Sequence, residues 1–548
     1  MSILSSFYAE GKHDFVHDIY DFFNTFVPTS LLRKCGITKP ADLIHPDANY
    51  TQLSFGGETI FPGLGDAAGT NALDGTEQPK LVGVPTQGNG TVRVITMDDV
   101  KKNPALWYDA SSILVDKVTI GFTDSTFNEL CQHRKEDPYG PKISYGKDTW
   151  YRFDRMHANW EGLQLQVGKN AVEFIQNNTE THGSHGFVCF DDSLFRRTFG
   201  IHGGRSNSRA TEYLASQFDH NLRKMFPGFR MMTAYWTNGE SGIPLCQSLL
   251  SSRKEDCRLG PFEHVDGRTW EGKRRERALT KGTEVMVDMT KDIMKAGVQF
   301  DYVLADTWFS CPAQLTDIKA LGKDMIAMAK KRGNVKYGWL TKDLGGKEPT
   351  EADLKWGSAA ELYSVSKKRR GSSRYLLCVD AWVKDGDKLC PVKLVYNRNR
   401  SNRKEWVVMV TTDMTLSPED VISYYCYRWS IERYFRIEKG YLGLSECHST
   451  SYDALTCRMV VSALRYMIMV ITRFNSSDCR TIEQIFQQAK RDVAVFFTDG
   501  VMAQVFDAIF KCIKAHFSPT KEQMQEFIMD LLDKLPTHFR TFFKVATT

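Results

Sequence analysis

The sequence lacks the cysteine patterns that mark disulfide-rich or zinc-binding proteins. It has thirteen cysteines, but none of them forms a C-x-x-C pair or combines with histidines at the spacing of zinc ligands. For example, Cys35, Cys189, Cys246, Cys378 and Cys426 sit singly in apolar surroundings, which is typical of reduced, buried thiols in a cytoplasmic protein. A catalytic or zinc-binding cysteine is the less favoured alternative.

The sequence also lacks a recognisable membrane span and a secretory signal. Its most apolar stretch, residues 459–471, is interrupted by Arg465 and falls short of the ~18 uncharged residues that a span requires. The first ten residues contain no basic segment and no long apolar run. We therefore expect a cytoplasmic protein with no membrane partner.

The excess of positive over negative charge is small for the whole chain but large in one segment. The net charge is +5 over 548 residues, and the 42% of hydrophobic residues suits a globular protein of about three or four domains. The balance is −7 over residues 1–180 but +10 over residues 330–405. A basic segment of this kind indicates a polyanionic partner that touches one region. A solvated basic face is the alternative.

From residue 186 onward, strand patterns alternate with helix patterns. Strands are predicted at 186–190, 230–236, 243–250, 302–305 and 324–329, and helices at 276–296 and 312–321. Four further strand-like runs fall in the basic segment, at 334–340, 375–383, 390–397 and 406–412. Ser417-Pro-Glu-Asp420 then predicts the start of a helix that continues to about Lys439. This order indicates an α/β protein with a mixed sheet flanked by helices.

Three carboxylates are candidates for chemistry. Asp192 and Asp306 follow predicted strands, where ligands gather in α/β sheets. Glu432 belongs to a stripe of side chains that helical spacing places on one face: Tyr425, Arg428, Glu432 and Lys439. If the carboxylates help to bind a metal, the two basic side chains of this stripe can hold phosphates. Turn residues at strand ends and a solvated helix face are the alternatives.

The segment from Tyr425 to Lys439 matches the signature Y-x2-R-x3-E-x6-K at every fixed position. In this it resembles the bacterial insertion-sequence DDE transposases of the branch that carries this signature. Phe190-Asp-Asp192-Ser193 and Leu304-Ala-Asp306-Thr-Trp-Phe309 resemble the first and second aspartate motifs of the family. Val410-Thr-Thr-Asp413 and Lys147-Asp-Thr-Trp-Tyr-Arg-Phe153 are similar to further family segments, and the resemblance extends over about residues 145–475.

The resemblance implies an RNase H-like catalytic core interrupted by a β-rich insertion domain, with helical N- and C-terminal regions. The expected division is an N-terminal region that binds DNA ends (1–180), the first part of the core (181–330), the basic insertion (331–415), the second part of the core with the catalytic glutamate (416–475), and a C-terminal helical region (476–548).

The implied enzyme is a DDE transposase that binds the terminal inverted repeats of an insertion sequence. It would cleave DNA at the element ends and join 3′-OH ends to target DNA by two-metal phosphoryl transfer. The implied ligands of two Mg²⁺ ions, for which Mn²⁺ can substitute, are Asp192, Asp306 and Glu432. Asp191 is the alternative first ligand, and Asp192 is preferred because the family's aspartate directly precedes the hydroxyl residue, here Ser193.

The implied partners are double-stranded DNA, as element ends and as target, and a second copy of the chain in a synaptic homodimer. The implied location is the bacterial nucleoid. DNA contacts are expected from Tyr425, Arg428, Lys439, Trp406, Lys367, Lys368, Arg369 and Arg370. Further phosphate contacts are expected from Arg398, Arg400, Arg403 and Lys404.

Trp406 has two possible roles. In the resembled branch, a tryptophan near this place stacks on a base flipped out of the DNA end, and a buried core tryptophan is the alternative. Two other functions also stay open. One is an RNase H-fold nuclease without strand transfer, and the other is an inactive DNA-binding descendant, which the intact carboxylate triad argues against.

Overall fold

The structure is a computed structural model. It describes residues 15–37, 83–85, 92–94, 110–123, 127, 147–179, 185–197, 210–219, 222–342, 344–345, 347–369, 373–399, 405–444, 447, 449–476, 480–493, 516–517, 520 and 523. The predicted DNA contacts Arg370, Arg400, Arg403 and Lys404 lie outside these residues.

Twelve helices have bounds within the described residues. They are α1 (Phe15–Phe26), α2 (Thr29–Lys34), α3 (Ala110–Thr119), α4 (Lys147–Asp154), α5 (Trp160–Asn177), α6 (Trp270–Ala278), α7 (Gly282–Ala296), α8 (Pro312–Ala320), α9 (Ala359–Val365), α10 (Pro418–Cys426), α11 (Trp429–Gly440) and α12 (Tyr452–Asn475). Short 3₁₀ turns lie at Ile120–Phe122, Glu255–Cys257 and Glu351–Asp353.

The strands form two sheets. A small hairpin consists of β1 (Gly83–Pro85) and β2 (Val92–Val94). The large sheet contains β3 (Phe187–Arg196), β4 (Ala215–Asp219), β5 (Lys224–Thr237), β6 (Gly242–Leu250), β7 (Tyr302–Ala305), β8 (Asp324–Met328), β9 (Tyr337–Leu340), β10 (Leu354–Gly357), β11 (Leu377–Asp385), β12 (Lys388–Arg398) and β13 (Trp406–Thr411).

The centre of the large sheet is mixed, as the strand and helix pattern predicts. Strands β3, β5 and β6 form an antiparallel meander, while β7 lies parallel to β3 and β8 lies parallel to β7. The strand order across the sheet is β10-β9-β11-β12-β13-β8-β7-β3-β5-β4, and β6 also pairs with β5. The α/β class with a mixed sheet flanked by helices is therefore confirmed, and it is consistent with the RNase H-like fold.

The basic segment contributes five antiparallel strands to the same sheet. Strand β13 pairs with β8 through Met409 and Met328, so β9–β13 extend the central sheet at the edge formed by β8. The four strand-like runs predicted between 334 and 412 correspond to β9, β11, β12 and β13. Whether this segment folds as a separate insertion domain stays a prediction.

The predicted helix from Ser417 to Lys439 is divided into two. Ser417 caps α10 by accepting a hydrogen bond from the amide of Asp420, as its capping pattern predicts. The chain then tightens at Tyr427 and Arg428, where amides bond to carbonyls three residues back instead of four. The prediction of one continuous helix was wrong, because apolar periodicity on its own does not register a local change of helical pitch.

Helix α12 forms the core of the helical layer. It is long and apolar enough by composition to cross a membrane, but 94% of its most apolar window is buried inside the protein. Its charged residue, Arg465, is fully buried and donates to the carbonyl oxygens of Lys117, Val118 and Leu442. Gly121 lies against this guanidinium, which a Cβ at position 121 would meet at 2.0 Å. Arg465 thus ties the end of α3 to α12.

A buried ionic cluster joins α5, α6 and α12. Asp453, in the first turn of α12, accepts hydrogen bonds from Arg274 and Arg275 of α6. The Arg274 side chain is fully buried and also lies 3.4 Å from Glu161 of α5. Burial opposes ionisation of Asp453, but hydrogen bonds from His157 and Arg275 and the nearby guanidinium charges hold its pKa well below its usual range.

Removal of the Asp453 carboxylate should destabilise the fold strongly. Asp453→Ala leaves the buried Arg274 guanidinium without its nearest carboxylate, and breaking a buried pair costs about 3–5 kcal/mol. The matched control is Asp148→Ala, which removes an exposed pair with Arg152 on α4 and should change stability by less than about 1 kcal/mol. Thermal unfolding of the three proteins measures this difference, and equal melting temperatures for both variants would contradict it.

Candidate active site

Strand β3 carries two adjacent aspartates that point to opposite faces of the sheet. The strand continues through Asp191 and Asp192 to Arg196, so the expectation that the first aspartate sits at a strand end was wrong. Side chains alternate along a strand, and Asp191 therefore shares the face of Cys189 and Ser193. The Cys189 thiol lies 3.8 Å from the carbonyl oxygen of Tyr427, between α10 and α11. This is the face that α10 and α11 cover.

The parallel pairing of β3 with β7 brings two carboxylates together. Phe190 is the partner of Ala305 in the strand register, so the next residues, Asp191 and Asp306, are neighbours across the two strands. Adjacent strands lie about 4.8 Å apart, which places both carboxylates in one small region. Asp306 is the first residue after β7, as the sequence pattern predicts.

Arg428 connects this region to Glu432. Its Nη1 lies 3.2 Å from Oδ2 of Asp191, and its Nη2 lies 2.6 Å from Oε1 of Glu432. The Arg428 side chain is 13% exposed, and its guanidinium carbon lies 5.7 Å from the centre of the Tyr425 ring. The structure thus brings Asp191 together with four residues that the sequence singled out, namely Asp306, Tyr425, Arg428 and Glu432. We call Asp191, Asp306 and Glu432 the carboxylate cluster.

The carboxylate cluster is electrostatically strained. Burial and then the nearby charge of Asp306 together raise the pKa of Asp191 to about 7, against the opposing charge of Arg428. Burial also raises the pKa of Asp306. Burial lowers the pKa of Arg428, but Tyr425, Glu432 and Asp191 outweigh it, so the guanidinium stays charged. Arg428 is therefore the internal counter-ion of the cluster, and half-buried aspartates with raised pKa values beside a cation are typical of a functional site.

Lys439 is anchored to the same strand as Asp191. Its Nζ donates to the hydroxyl of Ser193 at 2.5 Å and to the carbonyl oxygen of Leu194 at 2.8 Å. Burial lowers the pKa of this ammonium group. The one-face arrangement expected of the helix stripe holds for Glu432 and Lys439, which are both on α11, whereas Tyr425 is on α10 beyond the break.

Asp192 has a different environment from the carboxylate cluster. Both of its carboxylate oxygens accept hydrogen bonds from Nη1 of Arg230, at 3.1 and 3.2 Å. Arg230 also donates to the carbonyl oxygen of Phe218 on β4. This ion pair lies on the opposite face of β3 from Cys189 and Ser193. The geometry therefore favours Asp191, the alternative left open by the sequence, over Asp192 as the first carboxylate of the site.

The donor atoms of the carboxylate cluster are of the kind that Mg²⁺ and Mn²⁺ prefer. In the part of the chain that the structure describes, however, no three acidic, histidine or cysteine side chains converge closely enough to hold a metal ion. The Glu432 carboxylate is turned toward Arg428 instead. The residue types fit a divalent cation at Asp191 and Asp306, and Glu432 can join them only if it leaves Arg428.

Trp406 is partly buried and packs against aromatic side chains of the basic segment. Its ring is stacked at 4.6 Å on Tyr363 and lies 5.3 Å from Tyr396. Lys331 lies over the ring at 5.1 Å. These contacts favour the alternative of a packed core tryptophan, and the base-stacking role stays a hypothesis.

Two exposed tryptophans beside the carboxylate cluster were missed by the sequence reasoning. Trp308 is 57% exposed and follows Asp306 by two residues, and Trp429 is 55% exposed and follows Arg428 directly. Their adjacency to motif residues was the available signal. In the predicted DNA-binding cluster, Lys367 is exposed, while Lys368 lies over Tyr363 and Arg369 over Tyr375.

Glu438 is a fully buried carboxyl on α11, next to Lys439. Its two oxygens accept hydrogen bonds from the side-chain amide of Gln247 on β6, at 3.0 and 3.1 Å. Burial raises its pKa to about 7, against the opposing effects of Gln247, Tyr434 and Lys439. Glu438 is not part of the carboxylate cluster, but it supports the same helix.

Part of the chain matches a known protein family. Residues 276–468 match the family model described as the transposase DDE domain. The match spans Asp306, Arg428, Glu432 and Lys439 and covers about a third of the chain. No curated protein matches the sequence. The match supports membership of a DDE transposase family, in agreement with the resemblance, while the branch with the Y-R-E-K signature stays a prediction.

The buried carboxyl of Glu438 predicts a pH-dependent stability. Its folded pKa of about 7 exceeds the ordinary value of 4.5, so its favourable contribution is complete below pH 4.5 and is lost as the pH rises through 7. The free energy of unfolding of the parent relative to Glu438→Gln should thus fall by about 3 kcal/mol between these values. Thermal unfolding from pH 4.5 to 8 measures it, with the exposed Glu240→Gln as the control. A pH-independent difference would contradict the prediction.

Proposed function

We propose that this chain is a DDE transposase that binds the terminal inverted repeats of an insertion sequence, cleaves DNA at the element ends and joins the 3′-OH ends to target DNA. The observation that carries the proposal is the carboxylate cluster with its bridging Arg428. It lies at the end of a parallel strand pair, and Asp306 and Glu432 fall within the segment that matches the transposase DDE domain.

We assign Asp191, Asp306 and Glu432 as the residues that would hold a divalent metal, with Asp191 in place of Asp192. Mg²⁺ is the expected ion and Mn²⁺ its substitute, since both bind carboxylate oxygens. When bound, two such ions supply an activated attacking oxygen and stabilise the leaving oxygen of the phosphodiester. The remaining chemistry of this chain consists of binding, orientation and charge compensation.

Arg428 has two alternative partners in this proposal. Without DNA and metal it neutralises Asp191 and Glu432 and keeps three carboxyl groups in a small volume. Its planar fork can equally bind two oxygens of a phosphate. Exchange of the carboxylates for a DNA phosphate would release Glu432 and orient the scissile bond.

The remaining DNA contacts come from both sides of the carboxylate cluster. Lys439 is fixed against β3 and offers a point charge near Ser193, and Tyr425 flanks Arg428. Lys367, Lys368 and Arg369 are proposed to bind phosphates from the basic segment. The Trp406 base-stacking role is the weaker part of this proposal, because its ring already stacks on Tyr363.

Synapsis of two element ends requires at least a homodimer, and the bacterial nucleoid is the corresponding location. A nuclease of the same fold would cleave but not join DNA. An inactive descendant would need only the DNA contacts, and the mutually repelling carboxylates of the cluster would then cost stability for no gain. A strand-transfer assay with Mg²⁺ and the inverted repeats that flank the gene distinguishes these functions.

Substitution within the carboxylate cluster should abolish cleavage and spare DNA binding. Asp191→Asn, Asp306→Asn and Glu432→Gln each remove a metal ligand, and we expect losses of at least about a thousandfold in Mg²⁺-dependent cleavage. Gel-shift and cleavage assays on a duplex with the element ends measure both properties.

The neighbouring Asp192→Asn variant is the matched control. It weakens only the pair with Arg230 and should retain most of the cleavage activity. Loss of cleavage in Asp192→Asn with retention in Asp191→Asn would restore Asp192 as the first ligand.

Removal of Arg428 should strengthen metal binding in the absence of DNA. Arg428→Ala eliminates the cation that competes for Asp191 and Glu432, and we expect about tenfold tighter binding of Mn²⁺, equivalent to ~1.4 kcal/mol. Calorimetric titration with Mn²⁺ measures it, and Arg433→Ala, at an exposed position of the same helix, should leave the affinity unchanged. Unchanged or weaker Mn²⁺ binding by Arg428→Ala would show that the guanidinium does not compete with the metal.

Neutralisation of the basic cluster should weaken DNA binding without regard to sequence. Substitution of Lys367, Lys368 and Arg369 by alanine removes up to three phosphate contacts, so the slope of log K against log salt should become shallower by about 2–3. Lys291→Ala on α7, distant in sequence from this segment, is the control. An unchanged slope would mean that the cluster is a solvated face.

A further inference from the structure

Helix α11 has to be held in one orientation for its side chains to meet those of β3. It carries Glu432 and Lys439, which are seven residues apart and therefore lie on one face of the helix. Any rotation of α11 about its axis would move both side chains together. The break at Tyr427 and Arg428 separates α11 from α10, and α11 ends at Gly440. The orientation of α11 must therefore be fixed by its own contacts.

Two polar contacts in the last turn of α11 give its packing a direction. The buried apolar and aromatic side chains of the helix are Ile431, Tyr434, Phe435 and Ile437. Apolar packing is non-directional, whereas a hydrogen bond specifies where its donor and acceptor lie. Lys439 donates to Ser193 and Leu194 of β3, and Glu438 accepts from Gln247 of β6. These neighbouring residues thus tie the helix to two different strands.

The Gln247 side chain belongs to the same row of the sheet as Asp191. In the strand register, Asp191 is the partner of Thr233 on β5, and Thr233 is the partner of Gln247 on β6. Directly paired residues point to the same face of a sheet, and adjacent strands lie about 4.8 Å apart. The contact between Glu438 and Gln247 therefore locates α11 against the row, and on the face, that carry the first aspartate of the carboxylate cluster.

Glu438 is the end of a buried chain of hydrogen bonds. The side-chain nitrogen of Gln164 on α5 donates to Oε1 of Gln247 at 3.2 Å, and Nε2 of Gln247 donates to both oxygens of Glu438. All three side chains are at most 1% exposed. Gln164 also donates to the carbonyl oxygen of Pro244 at 3.3 Å. Because both amide nitrogens donate toward Glu438, α5 and β6 together specify where its carboxyl group lies.

We propose that Glu438 is a positioning residue of the cleavage reaction. Through Gln247 it sets the rotation of α11, and so places Glu432 and Lys439 relative to Asp191. Its carboxyl group is buried against β6, so it acts through these side chains rather than on the DNA. The inference rests on the proposed function for the reaction, but the orientation of Lys439 can be measured without DNA. The alternative is a residue that only stabilises the fold.

Replacement of both partners by leucine separates positioning from stability. Removal of one partner leaves a buried polar group unsatisfied, but replacement of both by apolar groups of similar shape can be nearly neutral. Glu438→Leu with Gln247→Leu should therefore stay folded, with a melting temperature close to that of the parent. We expect it to cleave prebound element ends at least about tenfold more slowly, with little change in DNA affinity, because small displacements of reacting groups slow a reaction strongly.

The amine of Lys439 reports the orientation of α11 without a measurement of activity. The full-length protein is acetylated with sulfo-N-hydroxysuccinimide acetate in the absence of DNA and metal, and the labelled peptides are quantified by mass spectrometry. Two hydrogen bonds to β3 protect this amine in the parent. We expect about fivefold faster labelling of Lys439 in the double-leucine variant, because a helix with fewer buried contacts opens more easily. Lys291, an exposed lysine on α7, should be labelled at the same rate in both proteins.

A second buried pair provides the matched control. Tyr235→Phe with Tyr466→Phe removes two hydroxyl groups that lie 2.9 Å apart, but this pair joins β5 to α12. It should keep the parental labelling of the α11 lysine and the parental cleavage rate. The exchanged pair, Gln247→Glu with Glu438→Gln, restores the contact with donor and acceptor reversed. It should keep most of the cleavage rate and of the protection.

Parental labelling and cleavage in a folded double-leucine variant would overturn the proposal and leave Glu438 a role in stability alone. If that variant does not fold, the exchanged pair decides the question. Retention of both properties in the exchanged pair supports the proposal, and loss of either in a folded protein overturns it. A parent that does not cleave element ends contradicts the transposase function, while the labelling of Lys439 still tests the orientation of α11. Equal cleavage by the parent and the double-leucine variant contradicts the positioning role alone.

Discussion

The parallel pairing of β3 with β7 is the constraint on which the candidate site depends. The register that places Phe190 opposite Ala305 makes Asp191 and Asp306 neighbours and directs Asp191 toward α10 and α11. A shift of one residue would turn Asp191 to the other face, because side chains alternate along a strand. The short parallel strand β7 therefore determines which of two adjacent aspartates belongs to the site.

The second requirement is the break between α10 and α11. Tyr427 and Arg428 make three-residue turns at this break, and Arg428 reaches both Asp191 and Glu432 from there. The half-buried carboxylates of the cluster repel one another, and partial burial raises the pKa of both aspartates. One guanidinium offsets this repulsion. Metal cations could take the place of Arg428 beside the carboxylates, and a phosphate could take the place of the carboxylates beside Arg428.

The surrounding structure holds these elements by buried polar contacts. Arg465 ties α3 to α12, Asp453 joins α12 to α6, and Glu438 of α11 is bonded to Gln247 of β6. Each of these groups is costly to bury unless its partner is present. The helices that precede β3 in sequence are therefore packed with the core helix α12 rather than with one another alone.

Much of the organisation followed from the sequence. Periodicity predicted the central strands, the strands of the basic segment and the α/β class, because apolar patterns report which residues must be buried. The motif spacing singled out Arg428, Glu432 and Lys439, and the pattern of a buried strand followed by a carboxylate singled out Asp306. By length and composition α12 could cross a membrane in spite of Arg465, and it is the structure that shows 94% of its most apolar window to be buried inside the protein.

Only the tertiary structure distinguished the two aspartates at 191 and 192. Both precede polar residues in one strand, and local sequence carries no information about which face of β3 meets α11; that is decided by pairing with β7, more than a hundred residues away. The same holds for the stacking of Trp406 on Tyr363 and for the exposure of Trp308 and Trp429. The sequence by itself determined which chemical groups are available, and long-range packing decided which of them face each other.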